Sequence, residues 1–294
     1  MDSDMKNSAK YLETSPQWTD EKEDITVSGN VYLCQVSDSV SCGACCGLYN
    51  LADFSCKALV KTLKKRTNEF AGVPREVSEI ISFGEMVCHQ AHNNQPFSEF
   101  HHCPYVGLIG DKLSRVGCLL HPMAEGNNGI DFRGLSYYGG MACRIYFCPV
   151  NRHVPERIRN IVRACFDDWY AYGLIITESN LITGIFQIIE TRFKNRVYLH
   201  MISSEALAEI YRLLTLKLNW PFRSPQWPIV NYFFEDRKYR PPGIDYRKIG
   251  VKPSRYHAIL QELGSQFHDA QTLHQAENLL DDHFDAVIEK MTVS

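Results

Sequence analysis

The sequence predicts an α+β protein, mostly helical, in which a loop-rich cysteine-cluster domain held by metal precedes a predominantly α-helical part. Three observations carry that expectation. All of the 11 cysteines except Cys165 lie before residue 150. Between residues 31 and 150, Gly, Cys, His and short apolar runs alternate, and few windows keep a helical period for long. After Pro149 the texture changes to stretches with apolar residues every three or four positions. At 294 residues, 45% hydrophobic and 22% charged, the chain is long enough for one large domain or two ordinary ones. It divides into a mobile polar tail (1–30), a cysteine-rich metal-binding domain (31–150) and a mostly helical C-terminal domain (151–294).

The elements follow in order. Val31-Tyr32-Leu33-Cys34 reads as a core strand, and a short helix is expected over residues 53–66. A longer helix is expected over 74–92, where Val77, Ile80, Ile81, Gly84 and Val87 or Cys88 recur near a 3.6 period behind Pro74, a residue suited to a first turn. Pro155 opens the clearest helix, with Ile158, Ile161, Val162, Cys165, Trp169 and Tyr172 on one face. Helices over 179–192 and 204–217 take Ser179 and Ser204 as N-caps. Pro221, Pro225, Pro228, Pro241, Pro242 and Pro253 then break the chain. That stretch is too aromatic for a solvated linker and is expected to wrap over a core. Helices over 254–264 and 270–291 close the sequence.

A net charge of -3, from 31 basic and 34 acidic residues, supplies no overall field toward nucleic acid or an anionic membrane, so no nucleic-acid partner is expected. The apolar runs at 172–177 and 181–189 are interrupted and too short to cross a bilayer. Residues 1–24 lack the basic start and apolar stretch of a secretory signal. The expected location is therefore cytoplasmic, a reducing compartment in which disulfides rarely persist and thiols more often bind metal. The residues identify no protein partner, small-molecule substrate or catalytic group.

The central motif is Ser41-Cys42-Gly43-Ala44-Cys45-Cys46-Gly47. Two residues between thiolates let one turn of backbone bring Cys42 and Cys45 to one metal, with Gly43 and Gly47 supplying the freedom a tight knuckle needs. Neighbouring side chains diverge, so Cys45 and Cys46 serve different metals, or different irons of a cluster, more easily than one tetrahedral ion. Downstream come His102-Cys103-Pro104, Gly117-Cys118-Leu119 and Cys143-Arg144-Ile145-Tyr146-Phe147-Cys148-Pro149, each cysteine beside Gly, Pro or a short loop. The candidate ligands are thus Cys42, Cys45, Cys46, Cys103, Cys118, Cys143 and Cys148, which exceed one four-ligand site and fall one short of two. His101, His102, His121, Cys34, Cys56 or Cys88 could complete the set. The cofactor this implies is an iron–sulfur cluster, 4Fe–4S favoured, or zinc.

Cys42-Gly43-Ala44-Cys45-Cys46, then Cys103-Pro104, Cys118 with His121-Pro122, and finally Cys143-Arg144-Ile145-Tyr146-Phe147-Cys148 resemble the YkgJ-type cysteine-cluster family over residues 31–150. That family is described as a zinc- or iron-chelating domain whose signature opens CxxCxxCC and ends in a Cys-Arg-aromatic-Cys element. Ser39 stands where the opening motif has its first cysteine, and the interval from Cys118 to Cys143 is longer than the family usually shows. A flagellin lysine methylase resembles the same family, and this implies as an alternative an iron–sulfur-dependent, S-adenosylmethionine-linked methyltransferase. No Gly-rich strand-to-helix turn of the usual methyltransferase sheet accompanies the cysteines. A zinc-stabilised structural or interaction module is the other alternative.

Other residues read more plainly. Cys34, Cys56 and Cys165 are expected in the core. Cys88, His89 and His92 share helical spacing without an evident partner. Arg144 lies either beside a thiolate cluster or against a surface carboxylate. Asp167, Asp168, Asp281 and Asp282 read as solvated faces, and Gly126–Gly129 and Gly139–Gly140 as ordinary loops.

Overall fold

Apolar residues at three- and four-residue intervals build most of the molecule into helices, and a single two-stranded ribbon supplies the β structure of the described residues. In this computed structural model the described residues are 32–91, 101–227, 229 and 243–291. The expected tail at 1–30, His92, and most of the aromatic Pro-rich stretch, including Pro228, Pro241 and Pro242, lie outside them.

The first half holds more regular structure than its composition suggests. Helix α1 (Cys56–Ala71) starts at Ser55, whose hydroxyl accepts from the Ala58 amide, so it begins later and runs further than the expected 53–66. Helix α2 (Val77–Ala91) follows the predicted period. Strands β1 (Val106–Ile109) and β2 (Arg115–Cys118) pair antiparallel, with Val106 opposite Cys118. Leu59 and Leu63 of α1 share a core with Val106, Leu108 and Val116 of the ribbon. Phe70 of α1, with Ile80, Phe83 and Val87 of α2, forms another with Cys103, Tyr105, Leu119 and Leu120. Two further short helices, α3 (Gly139–Ile145) and α4 (Val150–His153), flank Cys148.

The second half corrects the predicted helix from Pro155 through Tyr172. It ends at Cys165 as α5 (Glu156–Cys165), Phe166 turns extended, and α6 (Trp169–Ile175) begins afresh. The break is caused by Asp168, whose carboxylate accepts from the Ala171 amide at 2.8 Å and so caps a new helix instead of continuing the old one. Helices α7 (Ser179–Phe193) and α8 (Ser204–Asn219) match the expected segments, but the caps shift by one residue. Glu178 precedes α7 without a side-chain cap, and Ser203, not Ser204, accepts from the Ala206 amide. Helix α9 (His257–Glu262) is shorter than predicted, and α10 (Ala270–Lys290) runs nearly as expected behind the cap Asp269.

Helix α10 packs along α8 and α7, α5 and α6 pack on α8, and α9 packs on α7. Their shared core includes Ile158, Ile161, Tyr172, Ile185, Phe186, Leu214, Leu280 and Phe284, all fully or nearly fully buried. Leu33 and Val40 belong to this same core, and the Tyr172 hydroxyl donates to the Leu33 carbonyl across 139 residues of sequence. The two halves are thereby packed together. No single helix among the described residues is long and apolar enough to cross a membrane. The bent pair α6–α7, which passes on length and composition, is largely buried in this core.

Candidate metal centre

The knuckle is one turn of 3-10 helix, Ala44–Cys46, closed by Gly47 in the left-handed region at φ 71°. A Cβ on Gly47 would stand 2.0 Å from the His101 carbonyl oxygen, so glycine is required both by the turn and by the close passage of the 101–102 backbone. Three distant segments are stitched to this turn. The Cys42 amide donates to the Cys34 carbonyl at 2.9 Å, the Cys103 amide donates to the Cys46 carbonyl at 2.8 Å, and the Val116 amide donates to the Ser41 hydroxyl at 2.9 Å. Residues 36–40 turn back on themselves, with Gln35 bridged to Ser41, and this sets Cys34 beside Cys42. Cys34 therefore lies in a bend and is half-buried, contrary to the predicted core strand.

His102 clamps the knuckle from the other side. Its Nδ1 lies 2.8 Å from the Gly47 carbonyl oxygen, and its Nε2 lies 3.0 Å from a guanidinium nitrogen of Arg66. An arginine can only donate, so Nε2 accepts and Nδ1–H donates, and neither ring nitrogen is left for a metal. Burial, and then the Arg66 charge, push the imidazole down to about 3. Arg66, itself held to about 10 by burial, also donates to the Cys103 and Val106 carbonyls. His102 is thereby removed from the reserve ligands. His121 accepts from the Met123 amide through Nδ1, while His101 stacks on Tyr137 with a buried Nε2 that has no hydrogen-bond partner.

The sulfurs fall into neighbourhoods. Burial, with ionised Cys45 and Cys148 contributing, pushes the Cys34 thiol up to about 12. Cys42, raised by burial, faces the same Cys45, Cys34 and Cys148. Cys148, raised chiefly by burial and then by Cys45, receives a contact from the Asn151 amide nitrogen at 3.5 Å. Cys45 and Cys46 are hydrogen-bonded to each other, which lowers Cys45 and raises Cys46. Beyond Cys45, Cys46 faces Cys103 and Cys118. Burial, with Cys143 contributing, takes Cys103 to about 12 and Cys118 to about 11. Six of the predicted ligands thus lie at or beside the knuckle, whereas Cys143 faces Cys103 and Cys118 from within α3 and not from a loop, its sulfur 3.1 Å from the Ser136 hydroxyl. No group of three or more His, Cys, Asp or Glu among the described residues is arranged to hold a metal ion.

The remaining predictions sort out by position. Cys56 is exposed at the start of α1 instead of buried, because the first helical turn points away from the core. Cys165 packs on the helical core as expected, and burial raises its thiol. Arg144 pairs with Asp131 at 2.7 Å, so the carboxylate reading describes it. A further cation that faces the sulfurs is one the sequence did not single out. Arg133 is held above its ordinary value first by its hydrogen bond to Asp131, with Cys118 and Cys143 contributing as well. Asp281 departs from the solvated-face reading by bonding Arg192, Arg255 and Tyr256. The Gly126–Gly129 loop is fixed by Arg75, which donates to Asn127 at 2.8 Å and to the Glu125 carbonyl at 3.1 Å, so it is scaffolding. Compared with known proteins, the chain matches no family model, no curated protein and no solved structure.

Proposed function

We propose that the cysteine-rich half is a metal-binding centre that carries an iron–sulfur cluster in preference to zinc. The observation that carries this reading is the convergence of thiols from residues 34–46, 103, 118, 143 and 148 on one knuckle, where each ionised sulfur raises its neighbours. Burial opposes ionisation at Cys34, Cys42, Cys46, Cys103, Cys118 and Cys148. A soft metal ion reverses that balance by stabilising several thiolates together, and its binding free energy adds to folding. The resemblance of the spacing to YkgJ-type domains supports the same reading.

Zinc and a cluster ask different things of these sulfurs. A tetrahedral zinc with bonds of ~2.3 Å needs its four sulfurs drawn to within ~3.8 Å of one another. A cluster takes one thiolate per iron and so accepts a wider set of sulfurs. When bound, the cluster supplies one-electron transfer. Around it, Arg133 provides positive charge beside Cys118 and Cys143, and Tyr138 lies near Cys46, Cys45 and Cys103.

Anaerobic purification with an absorption spectrum and elemental analysis tests the proposal. A brown protein absorbing near ~400 nm supports a cluster, colourless protein with stoichiometric zinc overturns the preference for iron, and metal-free protein after anaerobic reconstitution overturns metal binding. Cys42→Ala and Cys45→Ala are expected to lower bound metal and melting temperature, whereas Cys165→Ala keeps the metal. Equal metal content in all three variants would reject the assignment.

A further inference from the structure

We propose that Cys34 and Cys42 form a reversible dithiol–disulfide couple, a cross-strand pair whose closure withdraws Cys42 from the knuckle. The couple rests on the backbone, and only its consequence for metal rests on the metal-binding reading.

Residues 34–42 make a small hairpin. The Cys42 amide donates to the Cys34 carbonyl and the Val36 amide to the Val40 carbonyl, both at 2.9 Å, on either side of the antiparallel bridge between Gln35 and Ser41. That register sets Cys34 directly opposite Cys42. Opposed residues of this kind stand about 5.5 Å apart at Cα, inside the span of about 4.4–6.8 Å that a disulfide bridges. The turn is pinned as well, because the Ser37 hydroxyl accepts from the Ser39 and Val40 amides, and this holds the register.

Side chains alternate across the hairpin and show which residues share a face. Gln35 and Ser41 both turn to β2, where the Gln35 side-chain amide donates to the Val116 carbonyl and the Ser41 hydroxyl accepts from the Val116 amide. Val36, Val40 and Cys42 pack instead on the helical core. Cys34, two residues before Val36, belongs to this second face, and when ionised it acts on the Cys42 thiol. Neither residue is fully buried, which leaves the pair open to a small reagent. Cys45, the CxxC neighbour of Cys42, has its sulfur engaged with Cys46.

The oxidant the step requires is a low-molecular-weight disulfide. One cysteine thiolate attacks it, its sulfur–sulfur bond breaks and one small thiol leaves. The second cysteine then displaces the other small thiol from the mixed disulfide. Two electrons and two protons pass to the reagent, which ends as two thiols. Burial opposes ionisation of both cysteines, so closure is slow at neutral pH and is read at equilibrium. Once closed, the pair leaves Cys42 without a thiolate to give a metal.

The test uses the full chain, freed of metal with a chelator and equilibrated anaerobically with reduced and oxidised glutathione. Free thiols are alkylated and the chain is cut before Asp38, which separates Cys34 from Cys42. The expected product is one disulfide joining the two peptides, located at Cys42 by fragmentation and reversed by dithiothreitol. It is expected to be absent from Cys34→Ser and Cys42→Ser and kept in Cys165→Ser, and the wild-type map decides the matter should a variant fail to fold. Cys34 recovered alkylated throughout, or linked to Cys45 or Cys46, would overturn the couple. The oxidised chain is then offered iron with sulfide, or zinc, and is expected to take up roughly half as much as the reduced chain or less. Equal uptake would overturn the consequence for metal while the mapped bond stands. No uptake by either form would overturn the metal-binding reading and leave the couple in place.

Discussion

The two halves of this chain are held together by different means. The helical half is organised by hydrocarbon: Ile161, Tyr172, Ile185, Phe186, Leu214 and Phe284 are fully buried in one continuous core. In the cysteine-rich half the apolar residues are split between two smaller clusters, and the segments that carry the thiols meet through individual hydrogen bonds to the knuckle. A large core tolerates the loss of any one polar contact because its stabilisation is spread over many atoms. A stitched turn does not, since each stitch satisfies a buried group that would otherwise be orphaned. The difference teaches that a broad apolar core and single hydrogen bonds divide the work, and that they meet where Leu33, Val40, Cys42 and Cys148 pack on the helices.

That comparison can be broken most directly by cutting into the core. Phe186→Ala is expected to lower unfolding free energy by about 3–5 kcal/mol, read from the urea midpoint, while the reactivity of the cysteine-rich half toward a thiol reagent in the native state stays as in the wild type. An unchanged midpoint would show that the helical core does not govern stability.

A second test addresses the stitched half through pH. His102 titrates near about 3 in the fold, held down first by burial and then by Arg66. Free histidine titrates near ~6.5. Between those values the unfolded chain takes up a proton that the fold refuses, so stability falls as pH drops from about 6.5 toward about 3. The slope from this group approaches ~1.4 kcal/mol per pH unit. His102→Gln is expected to flatten the profile in that window, and identical slopes for variant and wild type would remove the clamp from the account.

The smallest effect sharpens the boundary between α5 and α6. Asp168→Ala removes the cap on Ala171 and is expected to cost about 1 kcal/mol, measured by thermal melting, without altering bound metal. A metal loss here would mean that the two halves are less separable than their cores suggest.

Much of the helical half was legible in the sequence because period and burial agree: the apolar positions of α7, α8 and α10 are the buried ones. The break at Phe166–Asp168 was not, since Asp168 caps a helix through its side chain while its neighbours still fit one continuous apolar face. In the site, Cys42, Cys45 and Cys46 stood out through their spacing, as did Cys143 and Cys148. Cys34 did not, because Tyr32 and Leu33 made it look like part of a core strand, and only the turn at 36–40 brings it back to Cys42. Arg133 escaped notice for a similar reason: Arg144 is adjacent to Cys143 in sequence, yet both arginines share Asp131, and it is Arg133 that also feels Cys118 and Cys143.

The bond from Tyr172 to Leu33 has a temporal side. During synthesis the knuckle leaves the ribosome first, and the helix that secures the segment before it follows 139 residues later. At ordinary elongation rates that interval lasts roughly 7–28 s. Until it ends the early thiols lack the helical surface that buries them, so a nascent chain at this stage is open to oxidation.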